Sequence, residues 1–248
     1  MNINTPLIVF FIIVFFANAI EVVAGFGSVI LAITFGAYFF SVQQLVPVLV
    51  PLNFLLGIIL VSKYFKEINL KQLFGRILMG TGLGMPFGIY LFNFAPSEII
   101  KPLLGSLVFI LAAYELWIAF RVNKKATPLV PWKAWLFLFS GGVIQGLYAS
   151  GGPLVVYYSV REFDHKSTLR STLAGLWLIL NLILIISLCG TGKINAESLK
   201  MSGVLLPAVL LGFVFGDKIH RRVSEKVFQI AVYSLLLIAG AGLFFTKN

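Results

Sequence analysis

Residues 1 to 62 contain a single charged residue, Glu21, and no other feature limits the fold of this chain so strongly. A water-soluble domain needs a polar exterior around its core, and a segment this poor in charge has no residues with which to build one. Further charge-poor runs fall at 77–97, 134–160, 171–192, 201–216 and 227–246, each close to the roughly 20 apolar residues of a membrane span. With 59% hydrophobic against 11% charged residues, and a mean hydropathy of +0.99, the chain is expected to be an all-α, polytopic membrane protein. The longest polar connections, 121–133 and 217–226, run to about a dozen residues, so one membrane domain over 1–248 is expected.

The apolar start, followed by Ala17-Asn18-Ala19, mimics a secretory leader but lacks its basic n-region and continues straight into the next apolar stretch. It is expected to be retained as part of the membrane domain. The lone cysteine, Cys189, excludes an intramolecular disulfide.

The stretch "EVVAGFGSVIL" at 21–31 interrupts an apolar run with a carboxylate and two glycines, and "QGLYASGGPLV" at 145–155 interrupts another in the same manner, about 124 positions later. At a similar shift "LVPVLVPLNFLLGIIL" falls on "LRSTLAGLWLILNLIL", and "INLKQL" falls on "INAESL". The chain therefore reads as a duplicated unit, roughly 1–126 and 127–248. Each unit holds a broken segment and three spans, near 45–63, 74–93 and 99–120 in the first and 169–189, 199–216 and 226–246 in the second.

Basic residues bear on the path of the broken segments. If each turns back as a re-entrant helical hairpin, 15 Lys and Arg residues lie on one side of the membrane and 4 on the other; if each crosses once, the split is 11 to 8. The positive-inside rule favours turning back. Each unit then crosses an odd number of times, which predicts two inverted repeats, a cytoplasmic 121–133 connection and periplasmic termini. Topology also accounts for the net charge of +10, so the expected partners are a lipid bilayer and a small anion, with no nucleic acid.

Helical legs meeting at glycines leave backbone N–H groups that need partners inside the membrane, and the start of each second leg presents a positive dipole end suited to an anion. Gly25, Gly27 and Ser28 at the first break, and Ser150, Gly151 and Gly152 at the second, are the candidate substrate-binding residues, with Pro153 placed for a first helical turn. The alternative for the glycines is helix packing. Glu21 lies deep in an apolar run, where an ionised carboxylate costs roughly 2.5–3.5 kcal/mol on insertion scales, so it is expected to be paired or partly protonated and suited to carry a coupling proton; the alternative is a structural carboxylate near an interface or hydrogen-bonded to helix ends.

Asn53 and Asn181 are mid-span amides, fit either to donate to an anion or to bond a neighbouring helix. Arg170 and Arg161 flank the second break as interface anchors, Arg170 with a possible second role in attracting an anion. Glu115, near a helix end, suits a structural role. His165 and His220 lie in charged loops without ligand spacing, and no phosphate loop or catalytic triad is present; no metal, cofactor or enzymatic activity is expected.

The motifs "AGFGS" at 24–28, "SGGP" at 150–153, "STLRSTLA" at 167–174 and "GDKIHRRVSEKVFQ" at 216–229 resemble the TauE/SafE sulfite-exporter family, in the branch whose halves carry a GFG and a GGP element. The resemblance implies a secondary transporter of small organosulfur anions or organic acids, such as sulfite, sulfonates or related carboxylates. An anion channel shares the same features, and a membrane-embedded enzyme is a further alternative that lacks a visible nucleophile or metal constellation.

Overall fold

A computed structural model describes residues 4–24, 26–121, 128–163, 165–219 and, beyond these, 230, 233, 234, 236–238, 240 and 241. The described chain forms helices and no strand: α1 (Asn4–Ala24), α2 (Ser28–Gly36), α3 (Val42–Tyr64), the one-turn α4 (Leu70–Gln72), α5 (Leu78–Phe94), α6 (Ser97–Arg121), α7 (Pro131–Tyr148), α8 (Gly152–Ser159), α9 (Lys166–Gly190) and α10 (Ala196–Ile219). A 3₁₀ turn, Phe65–Glu67, and a π-helical stretch, Leu73–Ile77, link α3 to α5.

Among the described residues, five stretches are long and apolar enough to cross a membrane: Thr5–Val23, Val42–Glu67, Leu70–Phe94, Ser167–Gly190 and Ala196–Lys218. The spans read from the sequence coincide with α3, α5, α6, α9 and α10; the one expected at 226–246 falls largely outside the described residues.

Local chemistry marks several helix starts. Ser41 and Gln44 form a reciprocal cap on α3, with the Gln44 N–H donating to Ser41 Oγ at 3.3 Å and the Ser41 N–H to Gln44 Oε1 at 3.1 Å. Asn195 Oδ1 accepts from the N–H groups of Glu197 and Ser198, both at 3.0 Å, as α10 begins. Pro131 opens α7 and Pro153 lies in the first turn of α8, where the missing N–H costs nothing.

At both breaks the chain doubles back. α2 returns along α1, so that a Cβ at Gly36 would lie 2.6 Å from the Phe10 ring, and Phe40 comes within 5.5 Å of that ring. α8 returns along α7, with Val155 beside Gly141 and the Phe137 and Tyr157 rings 4.6 Å apart.

The α5–α7 and α1–α10 seams are close enough to exclude side chains. Cβ atoms at Gly84 and Gly88 of α5 would stand 2.0 and 1.9 Å from the carbonyls of Phe139 and Val143 in α7, and at Gly142 and Gly146 of α7 they would stand 2.0 and 2.2 Å from those of Thr81 and Met85. Small residues four apart are what let helices approach this closely in lipid. The rising numbers on both sides show that α5 and α7 run in the same direction. α1 and α10 do likewise, with Gly212 against Phe15 and Gly216 against Ala19. α3 and α9 run in opposite directions, since Asn53 meets Asn181 while Glu67 meets Ser171.

Large apolar side chains such as Ile8, Phe16, Phe87, Phe94 and Ile186 are exposed, whereas Glu21, Asn53, Gln145 and Asn181 are buried. That inversion suits a bilayer and concentrates the polar groups inside the bundle.

Candidate functional site

The first break turns at Gly27, with φ 109° and ψ −6°, a conformation that a side chain would strain. The second turns at Ala149, with φ 52°, a left-handed cap on α7. A Cβ at Gly152 would lie 3.1 Å from the Phe26 ring, so the two breaks meet in the middle of the fold.

A continuous set of hydrogen bonds joins them. The Ser28 N–H donates to Glu21 Oε2 at 3.0 Å, and Asn53 Nδ2 donates to Ser28 Oγ at 2.9 Å and to the Glu21 oxygens at 3.1 and 3.3 Å. In the other half the Gly151 N–H donates to Gln145 Oε1 at 2.9 Å, and Gln145 Nε2 donates to Asn181 Oδ1 at 3.1 Å. Asn181 Nδ2 then donates to Asn53 Oδ1 at 2.6 Å, which links the halves. None of the four side chains is more than 8% exposed, and in so dry a setting each polar group needs these partners.

Beside this junction is a cavity of about 20 Å³, lined by Glu21, Gly27, Asn53, Gln145, Ser150 and Trp177 among others. It has room for about one water molecule. A larger cavity of about 450 Å³ opens between the start of α3 and the α9–α10 connection, with Gln43, Val48, Lys193 and Met201 in its wall. Val48 is five residues before Asn53, so this cavity ends roughly 7.5 Å along α3 from the junction. The Lys193 ammonium at its edge donates to the Phe92 carbonyl at 3.2 Å and lies 4.3 Å from the Phe92 ring centre; burial holds it below the usual lysine range.

Of the residues singled out from the sequence, Glu21, Gly27, Ser28, Asn53, Ser150, Gly151, Gly152 and Asn181 come together here. Gly25 and the Glu115 side chain lie outside the described residues. Arg170 is elsewhere: it sits eleven residues before Asn181 on α9, roughly 16 Å along the helix, with its guanidinium 4.9 Å from the centre of the Tyr64 ring. The Ser28 and Gly151 N–H groups, expected to be open to a ligand, are held by Glu21 and Gln145 instead. Cys189 is exposed. Among the described residues no three His, Cys, Asp or Glu side chains gather to hold a metal.

Gln145 and Trp177 were not among the candidates. The signal for Gln145 was present in the repeat, because it falls on Glu21 when the two breaks are overlaid. For Trp177 there was none, since an aromatic in an apolar span usually packs against lipid or core.

A multi-pass helical bundle that turns its apolar side chains outward and gathers its polar ones between two helix breaks has the architecture expected of a membrane transporter, and a family match supports that class. The chain matches the family described as Sulfite exporter TauE/SafE over residues 10–243 and is a member of it. It is 25% identical over 184 residues, 72% of this chain and 74% of the relative, to the "Probable inner membrane transporter protein TsaS" of Comamonas testosteroni. No solved structure matches it.

Proposed function

We propose that this protein is a secondary transporter of the bacterial inner membrane that carries a small organosulfur or organic anion, such as sulfite, a sulfonate or a related carboxylate, by alternating access around the two helix breaks. The observation that carries this reading is the Glu21–Asn53–Asn181–Gln145 junction, which brings one carboxyl group and three amides to the point where both breaks meet. Helix directions support an inverted pair of repeats, roughly 1–126 and 127–248, because α3 and α9 are antiparallel partners at corresponding places in the two units. The chain reversal after α1 and after α7 supports re-entrant hairpins.

The carboxyl group gives a physical route to coupling. An anion entering the cavity beside ionised Glu21 meets a like charge in a dry space, and a proton on Glu21 removes that repulsion. Anion and proton therefore travel together. The small size of the central cavity supports an occluded stage of such a cycle more than an open pore.

The test is reconstitution in liposomes with sulfite, short sulfonates and small carboxylates, with and without a proton gradient. Gradient-dependent accumulation of one anion is expected, and flux of every anion tested that ignores the gradient would remove the coupled mechanism. Single cysteines replacing Lys133 and Lys193 in a Cys189→Ser background should react with an impermeant thiol reagent from opposite sides of the membrane. Labelling from one side would contradict the inverted topology.

A further inference from the structure

The residues of α9 that lead to the central junction hold donors with no acceptor among the described residues. Trp177 is 7% exposed, forms part of the central cavity wall, and its indole N–H has no acceptor among the described residues. Arg170 is half-buried, and its Nε and Nη2 atoms are covered yet also without acceptors. Positions 170, 177 and 181 share one face of the helix, spaced about 10.5 and 6 Å apart along its axis.

Indole N–H and guanidinium groups donate and do not accept, so whatever completes them must bring lone pairs. Two acidic groups of this region accept hydrogen bonds from other donors. Asp217 accepts from Lys63 Nζ at 2.9 Å and from the Tyr64 hydroxyl at 3.2 Å, while Glu67 accepts from the Ser167 and Ser171 hydroxyls. Buried donors left open in this manner ask for an unseen partner.

We propose that this face of α9 is the path by which a small oxyanion reaches the central cavity from the α9 N-terminal end: it is met by Arg170, then hydrogen-bonded by the Trp177 indole N–H beside the Asn181 and Gln145 amides. This rests on the transport reading above and names the donors that such a substrate would use. It also gives Arg170 a place apart from the junction, as the attracting charge at the mouth of the route. The large cavity beside Lys193 lies toward the other end of α9 and would serve the opposite opening.

The experiment uses the full-length protein in detergent with Trp117, Trp132 and Trp135 replaced by Phe, leaving Trp177 as the sole tryptophan; all three replaced residues are exposed. Titration with sulfite, methanesulfonate and acetate should change Trp177 emission saturably for the anion that liposomes accumulate. Transport without any such response would overturn the α9 path and leave the transporter reading standing. Neither transport nor response would overturn both.

Two substitutions extend the test. Trp177→Phe keeps the ring and removes the donor, and should raise the apparent KM about tenfold with less change in maximal rate, as expected for a lost hydrogen bond to an anion. Arg170→Gln should abolish the dependence of uptake on ionic strength, which Arg170→Lys should retain. An unchanged KM in Trp177→Phe and an unchanged salt dependence in Arg170→Gln would each count against the path.

Discussion

At the first break the backbone turns on a glycine with φ 109°, and a carboxylate holds the first N–H of the returning helix; at the second it turns on an alanine with φ 52°, and an amide holds the N–H of Gly151, the residue just before the returning helix. The two bonds differ little, 3.0 against 2.9 Å, and each holding side chain also reaches an asparagine of the following long helix. Gln145 shows that an uncharged side chain suffices to hold a break in this fold. The charge capacity of Glu21 is therefore more than the architecture requires, and this asymmetry is the reason that the proposed coupling proton is placed in the first half.

The sharpest way to break the comparison is to remove that asymmetry. Glu21→Gln should fold, because the amide oxygen can hold the Ser28 N–H as Gln145 holds that of Gly151, while gradient-driven accumulation in liposomes falls to background. Wild-type accumulation with unchanged pH dependence would return Glu21 to a structural role. The reciprocal Gln145→Glu places a second carboxyl group at the junction and should slow uptake most at high pH, where both are ionised, a trend that a pH series would show.

Next in size is the link between the halves. Asn181→Leu keeps the branched outline but strands Asn53 Oδ1 and Gln145 Nε2, and should cost about 1–3 kcal/mol in detergent melting along with most of the transport. Melting unchanged from wild type would mean that water replaces the lost partners.

The turn residues give smaller effects of opposite sign. Gly27→Ala should destabilise by about 1–2 kcal/mol, because a side chain is poorly tolerated at positive φ even where space is open around it. Ala149→Gly should stabilise by up to about 1 kcal/mol for the same reason in reverse. Equal shifts of one sign would show that the breaks are held by something other than their turn conformations. Gly203→Ala, in an unbroken helix with nothing within 4 Å of the new carbon, should stabilise by no more than about 1 kcal/mol, the usual gain of alanine over glycine inside a helix, and serves as the reference.

Much of the glycine pattern was legible only in part. The reading of Gly27 as a break residue agrees with its φ, and Gly151 and Gly152 stand where the chain reverses. The alternative role, helix packing, is filled by other glycines, those of the α5–α7 and α1–α10 seams. Spacing within one helix shows which residues share a face but not which neighbour that face meets, so Gly84 and Gly142 looked no different from any glycine in a span.

By itself the sequence determined the medium, the helices and the breaks. Hydrocarbon requires every backbone group to be satisfied, which leaves long apolar stretches little choice but helix, and the polar and small residues at 21–28 and 145–152 interrupt them visibly. The family follows from motifs spread over most of the chain. Only the tertiary structure decided that Glu21 shares a network with Asn53, Asn181 and Gln145, that Trp177 enters the cavity wall, and that Arg170 stands apart. The physical reason is range. The bonds that build the junction join residues as far as 128 positions apart, and no local signal in an apolar helix states which distant side chain will satisfy a buried amide.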